Sequence, residues 1–213
     1  MTGAVKRRAY TSATRQRQAE RTRGTVLAAA RTLFVERGYA GTTMAAVAAQ
    51  AGVALDTVYA SVGRKPELFR LLLETAISGR DEAVAPQDRD YVKAIVLAGA
   101  ASEKIRLYAA ATTRIQAGMA PLVVVLQAAA AEPGLAALAR EIAERRAANM
   151  RLYAADLAST GELRPGLAVD EVADVVWSMS SSDYYLLLVQ QRGWSPERFE
   201  RWLAEAWCRL FLA

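Results

Sequence analysis

Between Thr42 and Phe69 the chain reads TTMAAVAAQAGVALDTVYASVGRKPELF. Its polar residues suit holding a polyanion better than making or breaking bonds. A threonine hydroxyl and the free amides at a helix N-terminus can hold a phosphate, and so can a lysine at the start of another helix. Short or polar side chains on a narrow rod can reach base edges in a groove about 12 Å wide. On this pattern Thr43, Tyr59 and Lys65 position a duplex, and Asp56 and Thr57 meet base edges. Thr42, Leu55 and Arg64 complete the candidate set.

Other chemistry finds little support. The chain has no histidine, so the usual general base and zinc ligand are missing. Cys208 is the single cysteine, with only Arg209 as a basic neighbour at hand; it forms no disulfide within one chain and fits a reducing cytosol. No Gly-rich phosphate loop occurs, and the acidic residues read as helix-surface charges, so neither enzyme activity nor a metal or cofactor is expected. Arg7 and Arg8 lead into polar sequence rather than an apolar signal segment. The longest apolar run, Met119 to Ala131, is too short for a bilayer, which needs about 20 residues, so no membrane partner is expected.

Charge is uneven. Residues 1–80 hold 13 Lys/Arg against 5 Asp/Glu, while residues 81–213 hold 14 against 17. A basic N-terminal module attached to a nearly neutral body follows. An architectural, sequence-indifferent DNA binder would carry basic character throughout.

The elements that must position these residues are helices. Strand and hairpin signals are missing, and Ala, Leu, Arg and Glu dominate. Residues 1–12 read as a flexible basic arm and 13–80 as a helical head. A first helix runs from about Thr14 to a stop at Gly38, burying Val26, Leu27, Ala30, Leu33 and Phe34. Thr42 or Thr43 caps a second, Gly52 breaks it, and a third covers about 54–60 with Val58 inward. A fourth begins at Pro66. Asp81 to Asp90 reads as a linker, and 81–213 as a helical body. Its helices are expected near 89–99, 102–117, 120–131, 135–159, 169–192 and 196–212. Ser195 caps the last.

Two short helices about a glycine turn make a helix-turn-helix. A plainer reading stays open: such turns occur in many helical proteins, Tyr59 could edge a core, and Arg64–Lys65 could be solvated. The stretch TVLAAARTLFVERGYAGTTMAAVAAQAGVALDTVYASVGRKPEL adds several fixed spacings. They include Ala29, Ala30 and Phe34, Gly38–Tyr39, Thr43, Ala48, Ala51–Gly52–Val53, Thr57–Val58–Tyr59, and Lys65 with Leu68. It resembles the DNA-binding domain of TetR-family transcriptional regulators. The resemblance implies an all-α homodimer: a three-helix helix-turn-helix domain, plus a larger helical domain for dimerisation and a small effector. It also implies a repressor released from a near-palindromic operator, with Thr43 and Tyr59 on the DNA backbone and Lys65 on phosphate. Departures are Ala54 at a position usually Ser or Thr, Asp56 where Gly is frequent, and Val62 in place of an aromatic residue.

The resemblance fades after about residue 80. For the effector pocket the candidates are Tyr108, Arg114, Met119, Trp177 and Tyr184, with Gln116 and Met179 of similar character. For the dimer interface they are Tyr185, Leu188, Phe199, Trp202 and Trp207, an aromatic load larger than one helical pair buries.

Overall fold

The computed structural model of the protein describes residues 3–80 and 82–213, with side chains from residue 15 onward. Among the described residues the regular structure is helical, apart from one isolated bridge between Leu163 and Leu212. The elements are α1 (Gly3–Gly41), α2 (Met44–Ala51), α3 (Leu55–Val62), α4 (Lys65–Ser78), α5 (Asp90–Leu97), α6 (Ala101–Ala128), α7 (Pro133–Ala158), α8 (Val169–Met179), α9 (Ser182–Tyr185) and α10 (Pro196–Phe211). A short 3-10 turn (Pro86–Asp88) precedes α5, and a π-helical segment (Leu186–Gln191) follows α9. The expected arm over residues 1–12 falls where side chains lie outside the described residues; the backbone from Gly3 is part of α1.

Three differences from the sequence expectation have local causes. The stop at Gly38 is a kink: φ 70° there turns the chain, and helical turns resume as far as Gly41. The break expected near Pro121 is absent, and α6 runs through it. An interior proline costs about 3 kcal/mol. Met119, Ala120, Leu122, Val125 and Leu126 are all buried around it, and each large side chain contributes about 1.5–3 kcal/mol. Packing therefore outweighs the lost bond. The single helix expected over 169–192 is broken at Ser180–Ser181. Gln116 Nε2 donates to the Ser180 carbonyl (2.7 Å), and Ser182 Oγ donates to Gln116 Oε1 (2.7 Å). Ser181 Oγ accepts from the Tyr184 amide and starts a new helix. Serine hydroxyls here offer the backbone an alternative to the helical ladder.

Two apolar cores result. The first gathers Val26, Ala30, Leu33 and Phe34 of α1, Met44 and Val47 of α2, Val58 and Val62 of α3, and Leu68, Phe69, Leu72 and Leu73 of α4. Met119, Leu122, Val125 and Leu126 of α6 and Leu135 and Leu138 of α7 belong to the same core. The body therefore closes the head from behind. The second core joins Ile105, Tyr108, Met150, Leu157, Val176, Phe199, Leu203, Trp207 and Phe211. Helix α6 serves both, being long, apolar and largely packed inside the protein.

Candidate nucleic-acid interface

Helix α2 starts because Thr43, in extended conformation, caps it: its Oγ1 accepts from the Ala46 amide at 3.1 Å. It ends at Gly52, whose left-handed φ of 66° suits glycine and lets its N–H reach back to the Ala48 and Ala49 carbonyls. Val53 N–H also bonds the Ala48 carbonyl, so the turn is short. Helix α3 leaves it at 103° to α2. As Ala54 implies, α3 has no side-chain cap. Asp56 in its first turn faces the positive end of the dipole instead.

One face of α3 is anchored and the other is bare. Val58 and Val62 are fully packed, so valine at 62 still fills the groove between α3 and α4. Leu55 (39% exposed) and Tyr59 (44%) project outward. Asp56 is exposed and Thr57 half-buried. An unpaired leucine and tyrosine on an eight-residue helix form a contact face in search of a surface.

Lys65 opens α4 beside this face. Its ammonium lies 4.3 Å from the centre of the Tyr39 ring, an attractive cation–π arrangement. Tyr39 in turn packs on Phe34 and Phe69 at 5.7 and 5.4 Å. Partial burial holds the Lys65 pKa below its ordinary value, opposed by the nearby Glu132 carboxylate. Tyr39 is thus the platform for Lys65, a role its position in the motif did not disclose. Arg64 is exposed. Thr42 requires a correction: it is buried, and its hydroxyl donates to the Gly38 carbonyl at 2.9 Å. That bond ties down the kinked end of α1 and leaves nothing for a ligand.

Behind the head, at the junction of the two cores, lies a cavity of about 600 Å³. Tyr108, Gln116 and Met119 line it, together with Ile77 of α4. Three pocket candidates do not. Arg114 is exposed, over the Tyr91 ring at 5.8 Å. Trp177 sits at the surface under the Arg146 guanidinium, 4.5 Å away. Tyr184 faces α10, its hydroxyl accepting from Trp202 Nε1 at 2.8 Å. Aromatic and cationic character alone could not tell a helix's inner face from its outer one. The lining groups missed include Thr112, Arg146, Tyr153 and Ser180; the polar pair Thr112–Thr113 inside an apolar helix was the available signal.

The interface candidates divide the same way. Tyr185, Phe199 and Trp207 are buried within one chain, and Tyr185 meets Phe199 edge-on at 5.1 Å. They are core residues, because α9 turns Tyr185 inward and α10 turns Phe199 and Trp207 inward. Leu188 is half-buried against the second core. Trp202 (40% exposed) stays on the outer face, eight residues before exposed Leu210.

Residues 26–72 match the model of the bacterial regulatory proteins of the tetR family. Stearoyl-CoA-bound FadR from Bacillus subtilis has the same fold, with TM-score 0.67, 18% identity, and coverage of 87% of this chain and 97% of that one. NalD, the secondary repressor of the MexAB-OprM multidrug efflux pump in Pseudomonas aeruginosa, gives 0.65 and 18%, over 91% and 98%. A protein of Mesorhizobium loti MAFF303099, placed among TetR-family transcriptional regulators, gives 0.64 and 21%, over 92% and 98%. No curated protein matched the sequence. The helix-turn-helix segment is a TetR-family domain, and the chain as a whole has the fold of TetR-family transcriptional regulators.

Proposed function

We propose that the protein is a sequence-specific DNA-binding repressor that acts as a homodimer and leaves its operator when a small molecule fills the cavity. The observation that carries this reading is the bare face of α3, held at a right angle to α2 by a packed head. Two such helices, one per protomer, would enter successive major grooves about one helical turn apart on a near-palindromic site. Thr43, Tyr59, Arg64 and Lys65 would position the duplex; Leu55, Asp56 and Thr57 would face the bases. Asp56 repels phosphate but can accept from a cytosine amino group.

Pairing of protomers would use the outer face of α10, where Trp202 and Leu210 stay exposed. Trp202 shares a shallow surface hollow with Trp194, Arg198 and Arg201, a composition that interfaces favour.

Helix α4 supplies the coupling. It packs its Leu68–Leu73 segment into the head while Ile77 lines the cavity. Its Glu74 accepts from Arg145 at 2.6 Å and lies 3.9 Å from Arg89, and both arginines also line the cavity. A molecule that displaces either guanidinium moves α4, and with it the spacing of the two α3 helices. Release requires the effector to bind the freed conformation more tightly than the DNA-bound one. Repression by NalD and ligand binding by FadR, as those structures describe them, agree with this reading.

The test is selection of bound duplexes from a random pool, followed by titration of the winner with candidate effectors. A palindromic consensus and release by at least one compound are expected. Enrichment of no sequence would contradict the proposal.

A further inference from the structure

One cation of the cavity wall stands apart from the rest. Arg145 and Arg89 share Glu74, at 2.6 and 3.9 Å. Asp156 accepts from Lys104 at 2.8 Å, and Asp183 accepts from Gln127 at 3.1 Å. Arg146 lines the same cavity, yet no carboxylate among the described residues pairs with it and no hydrogen bond engages its N–H groups. Asp183, an exposed residue of the same wall, is its nearby countercharge but lies beyond ion-pair distance. Four cations (Arg89, Arg145, Arg146 and Lys104) thus meet three carboxylates (Glu74, Asp156 and Asp183), and one positive charge is left over.

The placement of Arg146 follows from its helix. Ile142, Arg146, Asn149 and Tyr153 recur at spacings of four, three and four along α7, so they form one stripe, and all four line the cavity. Trp177 of α8 supports the guanidinium, with its ring centre 4.5 Å away. Stacking of this kind occupies the face of a guanidinium and leaves its edge, where the N–H groups point, for a planar anion. That edge is not sealed in protein, because none of the Arg146 nitrogens is occluded. The Asn149 side-chain amide, one turn further on, likewise has no hydrogen-bond partner among the described residues and offers a second donor.

Burial works against this cation. It holds the Arg146 pKa below that of an ordinary arginine, and the Tyr108 phenol and Asp183 only partly oppose the shift. A charge drawn out of water without a partner is destabilising, and an anion that pairs with it offsets the penalty. The rest of the space is apolar, with Ile77, Ile95, Ile115 and Met119 in its wall.

Building on the reading of this cavity as the effector site, we infer that it takes an apolar carboxylate whose single negative charge is held by the Arg146 edge and the Asn149 amide. Its hydrocarbon body fills the isoleucine-lined space. The fork of an arginine matches the two oxygens of a carboxylate. The volume lies within the range of small-molecule pockets, about 300–1,000 Å³.

Calorimetric titration of the full chain with decanoate, 1-decanol and decylamine at neutral pH tests this. Decanoate should bind saturably, about tenfold or more tighter than the alcohol, with the amine weakest. Arg146→Gln should lower the affinity for decanoate about tenfold and leave that for the alcohol unchanged, so that the two ligands become alike. Arg146→Lys, which keeps the charge but not the fork, should lose less. Thermal unfolding of ligand-free Arg146→Gln should be unchanged or raised, since an unpaired charge is removed. Should that variant not fold, Asn149→Ala should weaken decanoate severalfold and again spare the alcohol. Alcohol binding equal to or tighter than that of decanoate, or a decanoate preference that persists in Arg146→Gln, overturns the inference but leaves a small-molecule site standing. No saturable binding of any of the three overturns both.

Discussion

The head and the body bury their side chains for different ends. In the head, Val26, Ala30, Phe34, Val47, Val58, Leu68 and Phe69 are fully buried, supplied by a stretch of fewer than fifty residues. The body assembles its wall from α4 to α9, over more than a hundred residues, and leaves a cavity of about 600 Å³. A rigid head presents a fixed surface to a fixed partner. An incompletely filled body can be completed by something else, and α4 belongs to both. On the proposed function, the contrast would separate recognition from regulation within one chain.

The largest effect should come from emptying the tight core. Phe34→Ala removes a ring that touches Tyr39 and Phe69 and should cost about 3–5 kcal/mol by denaturant unfolding. It should abolish DNA binding as well, because Tyr39 supports Lys65. An equally large substitution effect at Met150, in the cavity wall, would erase the proposed contrast.

Next in size, Trp202→Glu on the outer face of α10 should shift the protein from dimer to monomer in sedimentation at micromolar concentration. Helical circular dichroism should be preserved, whereas Phe199→Ala, at a buried site, should lower stability instead. A dimer undisturbed by Trp202→Glu would remove this face from the account.

Smaller again is Gly52→Ala. A Cβ there meets no atom within 4 Å, so only the left-handed backbone at φ 66° opposes it. About 1–2 kcal/mol of stability should be lost, with a further loss of affinity if the angle between α2 and α3 matters. The smallest effect is that of Lys65→Ala. It should weaken every duplex alike and flatten the dependence of log affinity on log salt by about one unit. An unchanged slope would refute a phosphate contact.

The head was legible because its signals are local. Thr43 three residues before its bonded amide, Gly52 at the turn and the spacing of Val26, Ala30, Leu33 and Phe34 each report on neighbours within a turn or two. Val58 was placed inward, and Asp56 and Tyr59 outward, from that spacing alone. The misplaced residues share one feature: their roles depend on distant partners. Thr42 and Thr43 are alike in sequence, yet the kink at Gly38 turns one inward. Pro121 reads as a break until both cores are seen to grip the helix around it. Trp177, Tyr184, Phe199 and Trp207 have the same chemistry, and only the packing of α10 against α6 and α8 sorts them. The lining residues Thr112, Tyr153 and Ser180 come together across elements far apart in sequence, which no periodicity could announce.

The proposed function stands or falls on whether the exposed face of α3 distinguishes one duplex from another. Competition binding at about 0.15 M salt, between the best selected duplex and a scrambled one of equal composition, tests it most directly. A preference of about a thousandfold or more is expected, reduced selectively at some positions by Thr57→Ala. Equal affinity for both duplexes would contradict it.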